Sequence, residues 1–365
     1  MIDFDELEIL EPIIRFHKIK YSLLKDMIET SGMEGNKINI FINLDSIFNL
    51  LYNKKMVPAI NSLKGLENIS LASELINMIA HYRHFFWNRY GVPTKFYLYK
   101  CNKKPKASKL FNENYMKTFE SNRLKENDLY SEVNKIIELN LNLIKLISSY
   151  VQDAYYIESK GLEPGLIPFH LIKKYKDDND VCNWVITSDK LEYQLMNLKN
   201  TFIIRAMGKK SKILKNQDIY NHYYKNVKYR PGVEITPELY SLIISMVGYK
   251  DRNIKGNISF VKSMKMIDNM IFNKTIKNRK IPFINDDLFN QYIKDSDIID
   301  DIINNFKIID FNYQNDLLSE KDIFKIEDQL VDKYDNKSIM KINNNYFQLN
   351  NLQLIELCEG IGVWK

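Results

Sequence analysis

The chain has 365 residues and a mass of 43.3 kDa, enough for one large domain or two ordinary ones. Hydrophobic residues make up 45% and charged residues 27%, and no apolar run approaches the roughly 18 to 20 residues needed to span a bilayer, so a membrane-embedded protein is excluded and a globular one expected. The net charge of +6 suits a nucleic-acid partner without requiring one. Its distribution is more informative: residues 281–365 carry 8 Lys, no Arg and 16 acids, a net of −8, which leaves +14 on residues 1–280. Part of the Lys content reflects the Lys-, Asn- and Ile-heavy, Ala-poor usage of an AT-rich genome. Cys101, Cys182 and Cys358 are far apart with no CxxC, which supports neither a disulfide framework nor a Cys-rich zinc site. Asp3, Asp5, Glu6, Glu8 and Glu11 near the start are the reverse of a secretory or transit signal, so a cytoplasmic protein is expected.

Residues 1–36 read as a helical extension. A strand is predicted over 37–44, KINIFINL, with Ile38, Ile40 and Ile42 alternating and Asp45 delivered at its carboxyl end. In open α/β sheets the chemistry lies outside the carboxyl ends of the strands, which makes that position notable. A helix over 71–90 ends at Gly91 and Pro93. A second strand over 95–99 runs into the basic loop CNKKPKASK, and a long helical stretch over 114–152 leads to strands at 153–158 and 182–187. Strands alternating with helices of this length imply crossover connections and a mostly parallel sheet covered on both faces. After Pro231, Thr236 at an N-cap, Pro237 at the first helical position and Glu238 predict a helix to Val247 stopped by Gly248. The polar, basic loop YKDRNIKG follows, and a second helix starts near Ser259. The remainder to residue 365 reads as helical and acidic.

Taken in order, several of these segments resemble the 5′-nuclease family of flap endonucleases, 5′-3′ exonuclease domains and phage exonucleases. A strand ends in an Asp, as in INLDSIF with Asp45. A strand and basic loop precede a Tyr-, Lys- and Arg-bearing helix, which NYMKTFESNR resembles through Tyr115, Lys117 and Arg123. Gly161 and Glu163 in GLEPGL stand where the family has an acidic helix. ITSDKLEYQL, with Asp189, Gln194 and Leu195, is similar to the family's strand ending in Thr-Ser-Asp-Lys-Asp. GYKDRNIKG, with Gly248, Asn253, Ile254 and Gly256, resembles the turn of its helix-three-turn-helix, and FKIIDFNY resembles the segment that follows the helical region in phage members. The resemblance covers most of residues 37–315. It implies a PIN-like α/β core over 37–230, a helix-three-turn-helix region over 231–285 and an acidic helical region over 286–365.

The resemblance also shows what is missing. Where the family has acids, this chain has Lys100, Gly165, Leu166, Leu191, Tyr249 and Arg252. Asp45, Glu163 and Asp189 remain as the acidic set, with Glu192 and Asp251 displaced by about one position as further metal ligands. Phosphodiester hydrolysis by two divalent ions needs several carboxylates to hold cations roughly 3.5 to 4 Å apart. Lys100 and Arg252 are therefore expected to stand in for metals by pairing with the remaining acids. Each acid also has a plainer use: Asp45 and Asp189 are residue types that cap helices, and Glu163 beside Pro164 is a typical helix-start charge.

The DNA-holding elements look better kept. Lys103, Lys104, Lys117 and Arg123 are candidates for single-strand contacts, and Lys250, Arg252, Asn253, Lys255, Gly256 and Lys262 for phosphate contacts. The expectation is a protein that binds branched or junction DNA, or an RNA/DNA hybrid, through phosphates, with nuclease activity weak or lost and no cofactor. If the chemistry survives, it is an Mg²⁺- or Mn²⁺-dependent 5′-3′ exonuclease or flap endonuclease. A third class is a structural or adaptor subunit that meets a protein partner through the acidic C-terminal region.

Overall fold

The computed structural model describes residues 25–29, 37–48, 71–103, 137–138, 140–142, 144–145, 148, 153–160, 162–175, 180–205, 212–216, 218–219, 235–249, 254–273 and 286–330. Its centre is a six-stranded sheet: β1 (Lys37–Asn43), β2 (Thr94–Lys103), β3 (Ala154–Lys160), β4 (Val181–Thr187), β5 (Thr201–Arg205) and β6 (Lys212–Ile213). The spatial order is β3-β2-β1-β4-β5-β6. The first five strands are parallel and β6 returns antiparallel to β5. The sheet is the predicted α/β core, with β1 at its centre. Both faces of β1 and β4 are buried, as strands covered by helices on each side require. Asn39 and Asn183, register neighbours on these strands, satisfy each other inside the sheet at 3.1 Å.

Helices are numbered in chain order. α1 (Leu44–Phe48) follows β1 directly, and α2 (Leu71–Tyr90) covers one face of the sheet through Tyr82, Phe85 and Phe86, with the Arg83 guanidinium over the Phe96 ring at 5.8 Å. The opposite face presents Phe41, Tyr97, Tyr99, Tyr155, Ile157, Val185 and Ile203 to a large apolar core. That core is shared by α3 (Leu166–Lys174), α4 (Pro237–Val247), α5 (Phe260–Phe272), α6 (Asp286–Phe289), α7 (Ser296–Ile309), α8 (Phe311–Asp316) and α9 (Glu320–Glu327). The 3-10 helix Lys190–Asn197 also lies here.

The net −8 of the C-terminal stretch lies wholly in residues 286–330, which hold 12 acids and 4 Lys. These residues form a helical layer stitched to the core. Gln194 Nε2 donates to the Ile309 carbonyl at 2.9 Å and Ser241 Oγ to Asp310 Oδ2 at 2.9 Å. Asn305 Nδ2 donates to the carbonyls of Ser245 and Lys255, each at 3.0 Å. At the outer edge of the sheet the Gln329 side-chain amide accepts from Glu158 N at 2.9 Å and donates to Glu158 O at 3.2 Å. No helix of the described residues is long and apolar enough to cross a membrane.

Several boundaries differ from expectation. β2 continues to Lys103, so the predicted basic loop begins with three residues of strand. β5 and β6 were not foreseen, being only five and two residues long. Thr236 occupies the N-cap of α4 as predicted, but its side chain makes no capping hydrogen bond.

Candidate nucleic-acid interface and acidic pocket

The carboxyl ends of β1 and β4 meet side by side. Asp45 stands half-exposed in the first turn of α1. It is Asn43, rather than Asp45, that caps this turn, accepting from Ser46 N at 2.9 Å. Ser46 Oγ and Thr187 Oγ1 lie 3.1 Å apart and tie the two strand ends together. Asp189 N donates to Thr187 Oγ1 at 2.9 Å, and the Asp189 carboxylate caps the 3-10 helix by accepting from Leu191 N at 2.9 Å. Tyr249 OH, from the far side of α4, donates to the same oxygen at 3.2 Å.

The 3-10 helix then carries Glu192 to a position with no solvent exposure. Tyr99 OH donates to Glu192 Oε2 at 2.7 Å and Asn43 Nδ2 donates to Oε1, with Thr187 as a further side-chain partner. Burial, followed by the nearby Asp189 charge, raises the Glu192 carboxyl to about 8, against the lowering effect of those donors. Tyr99 is also pushed upward, first by burial and then by Glu192, Asp189 and Asp45. Glu192 touches that phenol directly, while the Asp189 and Asp45 charges reach it as smaller influences.

Glu163 is buried in the turn before α3, and Gly165 starts that helix. A Cβ at position 165 would lie 2.5 Å from Phe311 Cζ and 2.9 Å from Glu192 Cγ. The acid that the sequence resemblance implies at this position would have no room here, because Phe311 and Glu192 occupy the space. Phe311 is held there by its backbone N donating to Gln194 Oε1 at 3.2 Å and by an edge-on contact with Phe169 at 6.0 Å. Among the described residues no group of three or more His, Cys, Asp and Glu side chains is arranged to hold a metal ion.

Lys100 lies on β2 with Glu158 as its register neighbour, and strand alternation places it on the face opposite Tyr99. Tyr99 OH and Asn43 Nδ2, which meet Glu192, and Leu191 N and Tyr249 OH, which meet Asp189, are neutral donors. Arg252, Lys250, Asp251 and Asn253 lie outside the described residues, as do Lys104, Lys117 and Arg123; only the backbone of Lys103 is described. Sequence reasoning passed over Asn43 and Tyr99, although the same strand alternation that placed Asp45 puts both on the pocket face. Tyr249, noted only as a missing acid, contributes a hydroxyl in its place.

The second region is the turn between α4 and α5. Gly248 ends α4 at φ 86, a conformation that favours glycine. Tyr249 and Ile254 then pair antiparallel, with hydrogen bonds of 2.8 and 3.0 Å that close the loop. The chain returns so tightly that a Cβ on Gly256 would overlap the Val247 carbonyl, and one on Gly248 would overlap the backbone of Gly256. Asn257 N and Ile258 N both donate to the Met246 carbonyl at 3.0 Å, and Ser259 caps α5. Lys255, Lys262 and Lys265 are exposed around this crossing.

Two solved structures match this architecture with a probability of 1.00. One is the 5′-exonuclease of bacteriophage T5 with bound zinc, at TM-score 0.52 and 12% identity, covering 80% of this chain and 98% of the other. The second is the bacteriophage T5 flap endonuclease in a pseudo-enzyme–product complex with DNA and metal ions, at TM-score 0.50 and 12% identity, covering 88% and 100%. The chain has the PIN-like fold of the 5′-nucleases. No family model and no curated protein matches its sequence, so the 5′-nuclease fold persists here at an identity where only architecture is shared. Both of those structures hold metal ions; in this chain Glu192 is buried against Tyr99, and Gly165 packs close to both Glu192 and Phe311.

Proposed function

We propose that this protein binds branched or single-strand/double-strand junction DNA through its phosphates, and that phosphodiester hydrolysis is weak or lost. One observation carries the second half: position 165 is closed by Phe311 and Glu192, while Glu192 itself is buried and enclosed by neutral donors. A carboxyl in that state is largely protonated near neutral pH, and Asp189 spends one oxygen on Leu191 N and Tyr249 OH. Two adjacent divalent ions need several accessible anionic ligands, so the described residues do not fit an Mg²⁺ or Mn²⁺ pair.

The first half rests on the α4–α5 crossing, read as a helix-three-turn-helix in which Lys255, Gly256 and Lys262 meet phosphate without reading sequence. Lys250, Arg252 and Asn253 belong to the same loop by sequence, and Lys103, Lys104, Lys117 and Arg123 would guide a single-stranded arm. The core of 37–230, the helix pair of 231–285 and the helical layer from 286 onward divide this work. The acidic layer offers a surface to a basic protein partner and discourages DNA from that side. The setting is the cytoplasm.

A second reading is favoured by Asp45 and Asp189 standing at the adjoining carboxyl ends of β1 and β4, with Glu192 on the 3-10 helix that follows: an active metal-dependent 5′ nuclease using Asp45, Glu163, Asp189, Glu192 and Asp251. A 5′-labelled DNA flap incubated with Mg²⁺ or Mn²⁺ separates the two. The expected result is salt-dependent binding by wild type and Asp189→Ala alike, with no cleavage that depends on Asp189. Cleavage by wild type that disappears in Asp189→Ala overturns the proposal in favour of the active enzyme.

A further inference from the structure

The hairpin of β5 and β6 carries cations that neither the acidic pocket nor the α4–α5 crossing uses. Arg205 closes β5, Lys212 opens β6, and the antiparallel register places them directly opposite each other. Opposed residues share a face with Cβ atoms about 5 Å apart, and like charges there are mutually destabilising. Their neighbours on the other face, Ile204 and Ile213, form an ordinary apolar pair, so the chain accepts a local penalty at one position of an otherwise consistent hairpin. Such departures concentrate at functional sites.

Three observations aim the pair. Arg205 is the register neighbour of Thr187, whose hydroxyl receives Asp189 N, so the cation starts one strand spacing, about 4.8 Å, from the rim of the pocket. Strand alternation places it on the face of Ile203 and Tyr99, where the Tyr193 phenol feels its charge. Lys215 follows as a further exposed cation, and by sequence alone the segment joining the two strands contains Lys209 and Lys210. The acid among them is Asp218, which pairs with Lys212 Nζ and accepts from Lys215 N at 3.0 Å. It neutralises one cation and leaves a surplus.

We propose that Arg205, Lys212 and Lys215 form a second phosphate-binding surface, which takes nucleic-acid backbone as it leaves the rim of the pocket. The guanidinium supplies a bidentate phosphate contact and the lysines supply point charges. This assignment rests on the DNA-binding reading above and adds a surface at the opposite edge of the sheet from β3.

Fluorescence anisotropy of the full chain with a fluorescein-labelled DNA fork, between about 50 and about 200 mM NaCl, tests it. Arg205→Gln/Lys212→Gln is expected to weaken binding several-fold at low salt and to lower the salt slope by about 1, because Asp218 already masks the Lys212 charge. Asp218→Asn is expected to tighten binding by exposing the charge it masks. Arg205→Gln alone should melt at the wild-type temperature or above, since it relieves the opposed charges, so weaker binding would not be due to unfolding. A double variant that melts like wild type and keeps its affinity and salt slope overturns the hairpin assignment while leaving the DNA-binding reading intact. Failure of wild type to bind fork, single strand or duplex at low salt overturns both.

Discussion

Glu192 and Lys255 mark two regions built in opposite ways. Glu192 has no exposure and is enclosed by Tyr99, Asn43, Thr187, Gly165 and Phe311; Lys255 is exposed on a turn whose shape is set by two glycines crossing backbone to backbone. In the pocket, geometry is made by side chains, and every change of charge or volume acts on stability. At the crossing, geometry is made by main chain, so exposed side chains such as Lys255 do little to set it. Under the proposed function, the first region sets what the pocket can hold and the second sets how a phosphate backbone is met.

The largest effect should come from striking the crossing where it is rigid. Gly256→Ala places a Cβ on the Val247 carbonyl, and a loss of at least about 3 kcal/mol is expected in urea unfolding, since backbone cannot step aside as a side chain can. If this variant is as stable as wild type, the turn is softer than its contacts imply, and the contrast with the pocket disappears.

The pocket offers a reciprocal test. Phe311→Ala should cost about 3 to 5 kcal/mol through the cavity it leaves. Gly165→Asp alone should be severely destabilising because Phe311 and Glu192 occupy the space. Combined, the two changes should be less harmful than their sum by about 1 to 3 kcal/mol. Strict additivity would show that Phe311 is not what closes position 165.

A third test uses pH. The folded-state value of Glu192, about 8, lies above its ordinary value of 4.5, chiefly through burial and then through Asp189. Below pH 4.5 the carboxyl is protonated in both folded and unfolded chains and its contribution to stability is complete. As pH rises toward 8 the unfolded chain releases its proton first, so that contribution is lost across the interval. Glu192→Gln should remove this loss, and the difference in melting temperature between variant and wild type should widen from pH 4.5 to pH 8. A constant difference would mean that Glu192 is ionised in the native pocket.

The smallest effect on stability belongs to the lysines. Lys255→Gln/Lys262→Gln should stay within about 0.5 kcal/mol of wild type in urea unfolding, while the salt slope for DNA binding falls by about 2. A stability loss beyond that range would place these residues among the structural elements.

The features legible in the sequence were those that local chemistry writes plainly. The alternation in KINIFIN, the acid after it, and Gly248 and Gly256 at either end of a polar loop are where the residues said they would be. β5 escaped because five residues of TFIIR resemble any short apolar run. Half of the pocket escaped for a different reason. Glu192 reads as one more surface acid of a helical stretch until Phe311 and Tyr99, far away in the chain, close over it. Nothing in the spacing of EPGLIPF announces that an aromatic from FKIIDFNY will take the place of a carboxylate. Even the acidic C-terminal stretch, legible as composition, gave no sign that Gln194 and Asn305 would fasten it to the sheet and to the crossing.

Gln329 has a consequence beyond fastening that layer. β3 is an outer strand of the sheet, and its Glu158 N–H and carbonyl point where another strand would add. The Gln329 carboxamide copies the donor and acceptor of a peptide group and occupies both, so at Glu158 the edge meets a side chain instead of an open pair of backbone groups. At that position the edge is closed to pairing with a strand of another copy, which blunts edge-to-edge self-association.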